Sequence, residues 1–322
     1  MKNLHVNRLA PLSLVAMAVL WGSSLVVMKD LLGAMGATDL VFSRFAIAAV
    51  ALLVIVPHAL RMSRRTLGQG VLLGLVFVLG QLTSTWGLVD IDASISGFLT
   101  GLYIVATPLL AWVVLGARPS RNAWTAVGLS TLGLAALSLG STGSGIGRGE
   151  LLTLLGALAY AAHIIAVGHV VTPRTALSLT LVQTITIAVV SGIVAIPHGV
   201  ALPESAGLWW ELAYLAVICG ALPLALQVWA QAHVEATKAA IVMGTEPLWG
   251  ALFAISMGGE SLTLRLLLGG TAITAAIALV IVPRGRWRGR VTVARGGRPS
   301  SARGRVVPRI QQDAARVPAE SA

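Results

Sequence analysis

Residues Ala236–Gly270 read ATKAAIVMGTEPLWGALFAISMGGESLTLRLLLGG. Glu246 stands beside Pro247 in the middle of an apolar run, which Gly258-Gly259-Glu260-Ser261 closes. A carboxylate about ten residues from either end of a roughly 20-residue apolar helix sits near a bilayer midplane, where a charge costs about 2.5 to 3.5 kcal/mol on insertion scales. A residue kept there against that cost is a functional candidate. The phrase also occurs earlier in the chain. Thr107-Pro108-Leu109 and Leu115-Gly116-Ala117-Arg118 echo Glu246-Pro247-Leu248 and Met257-Gly258-Gly259-Glu260, and Gly128 follows Gly116 at the interval at which Gly270 follows Gly258. One unit is written twice.

Composition sets the class. The 322 residues are 56% hydrophobic and 11% charged, in apolar blocks too long for the core helices of a soluble domain. The chain reads as an all-α polytopic membrane protein whose surrounding partner is the lipid bilayer. A net charge of +11 could suggest nucleic acid, but ten of the 23 Lys and Arg follow Pro283, so the excess belongs to the tail and no nucleic-acid partner is expected. The single cysteine, Cys219, lies in an apolar run and rules out an internal disulfide. Lys2 and Arg8 ahead of Ala16-Met17-Ala18 resemble a signal peptide, yet the apolar run continues to Val27, which predicts an uncleaved first span.

Apolar segments between short polar breaks predict ten transmembrane helices, at about 11–30, 38–57, 68–89, 93–115, 121–140, 150–171, 176–196, 208–231, 236–256 and 263–283. Their lengths suit helices rather than the short alternating strands of an outer-membrane barrel. With the N-terminus inside, the inner segments carry Lys2, Arg8, Arg61, Arg64, Arg65, Arg118, Arg121, Arg174, Lys238 and the tail arginines, against Lys29, Arg148 and Arg265 outside. Both termini are therefore expected in the cytoplasm, with the protein in the inner or plasma membrane.

An offset of 139 (247 minus 108) places Pro108 on Pro247, Arg44 on Gln183 and Trp21-Gly22 on Tyr160-Ala161, with small shifts elsewhere. Five spans per copy is odd, so the second copy enters the membrane upside down. Two inverted five-helix repeats, 1–140 and 150–283, are expected to enclose a site near the midplane and to rock around it. The Gly/Ser linker 141–149 joins them, and the Arg-rich tail 284–322 is expected to be disordered and cytoplasmic.

Glu246 is the sharpest candidate. A carboxyl that is neutral when dry and charged beside water or a cation can trade a proton for a solute; alternatively it only packs helices as a hydrogen-bonded acid. Pro247 strains the turn back to Met243 and leaves its carbonyl free, and Pro223 does the same at Cys219. Together with Pro108 these are candidate hinges. Arg44 could pair with Glu246, attract an anionic substrate, snorkel or bond loose carbonyls; pairing or a structural role is favoured over substrate contact. His163 suits a proton relay or cavity wall, or a plain helix-to-helix hydrogen bond. Trp21, Ser23, Ser24, Gln81, Thr85, Trp86, Thr100, Tyr103, Tyr160, Gln183, Gln227 and Trp229 form a polar and aromatic set suited to lining a cavity for an amphipathic small-molecule substrate, although each singly also fits helix packing. Gly97 and Gly101 at GxxxG spacing permit close helix contact, within the chain or in a homodimer of two copies.

The sequence holds no HExxH, GxSxG or P-loop motif and no Cys or His pair at metal-ligand spacing, so neither an enzyme nor a metal or other cofactor is indicated. Transport energy would come from an ion or solute gradient.

These residues resemble the EamA-type family of the drug/metabolite transporter superfamily. The resemblance covers almost the whole chain up to Pro283 and rests on WGSSLVVMKDLL at Trp21–Leu32, FSRF around Arg44 and, above all, QVWAQAHVEATKAAIVMGTEPLWGALFAISMGGESLT at Gln227–Thr263. It implies ten helices in two inverted repeats, a central cavity and proton-linked export of metabolites or drugs. It marks Trp21, Gly22, Lys29, Arg44, Glu246, Pro247 and Glu260 as motif positions. The chain departs from the family's LGE triplet with Met257-Gly258-Gly259-Glu260, has Arg118 where the second half has Glu260, and adds the tail. Import, or a scaffold or sensor role without transport, is the competing reading.

Overall fold

The structure, a computed structural model, describes residues 2–116, 121–138, 146–233, 239 and 242–281. Most of the linker, the tail, Arg118 and Lys238 lie outside the described residues. Twelve helices follow in order among those described: α1 (Lys2–Leu32), α2 (Ala37–Ile55), α3 (Arg64–Asp90), α4 (Ala93–Gly101), α5 (Tyr103–Leu115), α6 (Arg121–Ser138), α7 (Arg148–Val170), α8 (Ala176–Ala195), α9 (Ala206–Ala213), α10 (Leu222–Gln231), α11 (Glu246–Ser256) and α12 (Leu264–Ile281). Short 3₁₀ turns begin at Pro57 and Ile196, where proline suits the first turn of a helix. No strand occurs among the described residues.

Seven runs are long and apolar enough to cross a membrane: Leu9–Leu32, Ala37–Ile55, Arg64–Asp90, Ala93–Val114, Arg148–Val170, Ala176–His198 and Ala206–Gln231. At 1.5 Å per residue they reach across about 30 Å of hydrocarbon. Their outer faces are apolar too, for Val54, Leu72, Leu158 and Ile193 are each more than half exposed. A helix that is apolar all round needs lipid or protein on every side, so the chain is a multi-pass membrane protein.

Three expected spans are not uninterrupted α-helices. The ninth, 236–256, breaks at a turn at Gly244 and Thr245, so that Glu246 opens α11 and does not stand in the middle of a helix as expected. The run from Ala93 breaks at Leu102, between α4 and α5, beside the cavity described below. The run from Ala206 passes through a π-helical stretch, Tyr214–Ala221, between α9 and α10. Pro223 lacks the N–H that an α-helical Cys219 carbonyl would accept, which disfavours the regular ladder just there.

Side-chain and glycine caps close the ends. Ser63 Oγ accepts from Thr66 N–H (3.1 Å) at the start of α3, and Gly116, at φ 69°, ends α5 in the left-handed conformation that glycine adopts without strain. Beyond α11, Gly259 at φ 68° turns the chain back so that Glu260 N–H reaches Ala254 O (3.1 Å), which accommodates the extra glycine of the Met257-Gly258-Gly259-Glu260 segment.

The helices pack as a tight bundle. α3 lies against α7 and α8, α2 against α8, α1 against α10 and α11, α4 against α11, and α6 against α12. Small residues allow the close approaches. A Cβ on Gly22 would fall 2.7 Å from Trp249 Cβ, and one on Gly101 would collide with Pro247 Cγ. The Gly97/Gly101 pair therefore serves contact within the chain, with Gly97 against Leu25 and Gly250.

Candidate functional site

Helices α1, α2, α3, α4, α5, α7, α10 and α11 converge on a cavity of about 60 Å³ that is partly open to the outside. It has room for a few waters, far below the 300 Å³ or more of a site that encloses an organic ligand.

Glu246, in the first turn of α11, is buried and faces this cavity. The Tyr103 hydroxyl donates to Glu246 Oε2 (3.0 Å) and lies 3.3 Å from Met243 O, the carbonyl that Pro247 deprives of its helical partner. Arg44 reaches the cavity from α2 with 3% of its surface exposed. One guanidinium nitrogen donates to Cys219 O (2.8 Å), the carbonyl freed ahead of Pro223, and another meets Met28 Sδ (3.2 Å). Among the described residues no ion pair joins Arg44 to Glu246; of the two favoured roles, pairing or a structural one, the contacts are those of a structural bond to a loose carbonyl. A carbonyl dipole within reach already holds the guanidinium.

His163 Nε2 bonds Gln183 Oε1, and Gln183 Nε2 donates to Leu179 O (3.1 Å). The amide's orientation fixes the ring: Oε1 can only accept, so Nε2 carries the proton and Nδ1 is the bare acceptor. Among the described residues that Nδ1 has no partner, and neither do Arg44 Nε, Ser84 Oγ and Gln227 Oε1, buried atoms of residues that line the same cavity. Phe77 lies at the centre of the aromatic side, 4.6 Å from His163, 5.3 Å from Tyr160 and 6.4 Å from Trp21 between ring centroids.

Of the residues singled out from sequence, Trp21, Ser24, Arg44, Gln81, Thr85, Thr100, Tyr103, Tyr160, His163, Gln227 and Glu246 meet at this cavity. Gln183 stands behind His163 as its hydrogen-bond partner. Trp86 instead donates to Thr38 Oγ1 (3.1 Å), Trp229 packs against His233, and Ser23 bonds Tyr214 (2.8 Å). Met243, whose carbonyl Pro247 was expected to free, also lines the wall, as do Phe77, Ser84 and Ser96, which were not singled out. Ser84 stands one residue before Thr85 in the Gln81–Trp86 polar cluster, a signal the sequence does carry; Phe77 looks like any apolar helix residue. Pro247 packs on Gly101, while Pro223 follows the π-helical stretch and Pro108 lies inside α5.

Lys29 and Glu260 lie away from this cavity, with the ends of α1, α3 and α11. Lys29 Nζ donates to the carbonyls of Leu88 (2.7 Å), Val89 (3.1 Å) and Ile91 (2.8 Å). Glu260 accepts from Ser94 N–H (3.3 Å), and Arg265 pairs with Asp92 at 3.5 Å.

Comparison with known proteins follows the duplication. The profile of the EamA-like transporter family matches twice, over residues 8–139 and 147–282. A protein of Archaeoglobus fulgidus described as an uncharacterized transporter is 27% identical over 276 residues, covering 85% of this chain and 87% of its own. A crystal structure whose description names no activity superposes with a TM-score of 0.63 at 15% identity, over 84% of this chain and 95% of its own, a likeness of fold alone.

Proposed function

Because the chain belongs to the EamA-like transporter family, we propose that it is a secondary-active transporter that exports a small organic solute by alternating access, with Glu246 carrying the coupling proton. The observation that carries this reading is a charged and polar wall, drawn from both family matches, around a centre too small for any organic solute. A solute site in that state has to open to one side or the other.

In this reading the architecture is ten transmembrane helices in two inverted five-helix repeats, 1–140 and 150–283, with a linker at 141–149 and a cytoplasmic tail at 284–322. Both termini face the cytoplasm, and the protein sits in the inner or plasma membrane. Helix pairing supports the exchange symmetry. α2 meets α8, α4 meets α11 and α6 meets α12, each helix against its counterpart, while the α3 to α7 contact has its mate in α1 to α10. The proline-freed carbonyls and the break at Leu102 supply the points at which helices can bend.

The test is flux of candidate metabolites and drugs into everted vesicles, with and without an imposed pH gradient. Accumulation driven by an acidic interior, lost in Glu246→Gln while folded protein remains in the membrane, is the expected result. Undiminished pH-driven flux in that variant rejects the role of Glu246, and absence of flux for every solute rejects transport.

A further inference from the structure

Arg44 is a fixed cation whose hydrogen-bonding capacity is only partly used. A guanidinium has five N–H donors and stays charged in proteins. One nitrogen holds Cys219 O, another faces the weak acceptor Met28 Sδ, and Nε, although buried, has no partner among the described residues. No described carboxylate pairs with it. Glu246 borders the same cavity, but its Oε2 already accepts from Tyr103.

An unpaired charge inside a membrane protein is expensive, and a ligand that brings the opposite charge removes that cost while gaining a charge-assisted hydrogen bond. Arg44 lines the cavity, and a guanidinium's planar fork suits the paired oxygens of a carboxylate. A cationic ligand would meet repulsion at the same place. Trp21, Phe77 and Tyr160 offer apolar ring surface in the same cavity, and His163 Nδ1 and Gln227 Oε1 are acceptors left for a hydroxyl, an N–H or water.

We propose that the cavity takes a small organic anion, its carboxylate on the Arg44 guanidinium and its apolar body against Trp21 and Phe77. This rests on the reading of the cavity as a transporter's solute site. The present volume holds only waters, so uptake of the anion accompanies widening of the cavity.

The test uses the full chain in lipid nanodiscs and three probes of similar size: benzoate, benzamide and benzylamine. Benzoate should bind at least about tenfold more tightly than the other two, the range of a charge-assisted hydrogen bond. In Arg44→Gln its advantage over benzamide should shrink to within about twofold, and in Arg44→Lys, which keeps the charge but not the fork, to an intermediate value. Equal binding of benzoate and benzamide, tightest binding of benzylamine, binding of none of the three, or an undiminished preference in Arg44→Gln each overturns the proposal. Should Arg44→Gln not fold, the wild-type ranking and Arg44→Lys decide. Flux in proteoliposomes separates the two levels: movement of neutral or cationic solutes but not anions sinks the anion proposal and leaves transport standing, whereas no movement at all sinks transport.

Discussion

Tyr103 and Glu246 come from different matches to the family profile and meet at 3.0 Å, with the Tyr103 hydroxyl also 3.3 Å from Met243 O. One O–H thus serves a carboxyl and the carbonyl that Pro247 leaves free. Tyr103→Phe keeps the ring but strips both buried acceptors of their protein donor, which costs about 1–3 kcal/mol for an acceptor left unsatisfied. The variant should unfold at lower temperature in detergent. An unchanged midpoint would mean that water already satisfies these oxygens.

Glycine substitutions should divide sharply by position. Gly22→Ala presses on Trp249 and Gly250, and Gly101→Ala on Pro247, so each should cost about 1–3 kcal/mol through overpacking. Gly68→Ala and Gly168→Ala meet open space on helices and should stabilise by up to about 1 kcal/mol from helix propensity. Thermal unfolding of the purified variants checks the ranking. Loss of a dimer in Gly101→Ala without loss of monomer stability would contradict the contact within the chain.

How far the sequence carried these relationships depends on their range. The freed carbonyls of Met243 and Cys219 were legible, because a proline acts on its own turn. Their partners were not, because Tyr103 and Arg44 reach them across helix interfaces that periodicity does not order. Of the roles open to Arg44, the contacts are those of bonding a loose carbonyl rather than of pairing with Glu246, and what composition does not show is the π-helical register that brings the Cys219 carbonyl to it. Trp86 and Trp229 carry the same aromatic chemistry as Trp21, yet they are turned toward Thr38 and His233; which face of an evenly apolar helix points inward is set by neighbours. The glycine pair at Gly97 and Gly101 announced a close contact and left its partner, Pro247, open.

The His163–Gln183 pair gives a spectroscopic prediction. Because Gln183 Nε2 is committed to Leu179 O, the ring must donate from Nε2, so nitrogen chemical shifts of labelled His163 should report a neutral ring protonated at Nε2. His163→Phe leaves Gln183 Oε1 buried without a donor and should cost about 1–3 kcal/mol. A proton found on Nδ1 would reverse the amide and remove the bare acceptor from the cavity wall.

Lys29 and Arg265 carry the same charge and lie with neighbouring ends of the bundle, yet their substitutions should differ. Lys29 caps the end of α3 through three carbonyls, where a cation also meets the negative end of the helix dipole. Lys29→Met should therefore cost about 1–3 kcal/mol, the scale of hydrogen bonds from a charged donor. Arg265 pairs with Asp92 at 3.5 Å while both side chains keep a third or more of their surface in solvent, 34% and 54%, so Arg265→Gln should cost less than about 1 kcal/mol. Added salt should narrow even that small difference, by screening the exposed pair, and leave the Lys29 effect nearly unchanged. Thermal unfolding of both variants at low and high sodium chloride tests this, and a larger loss for Arg265→Gln would show that the exposed ion pair, rather than the capped helix end, holds this end of the bundle shut.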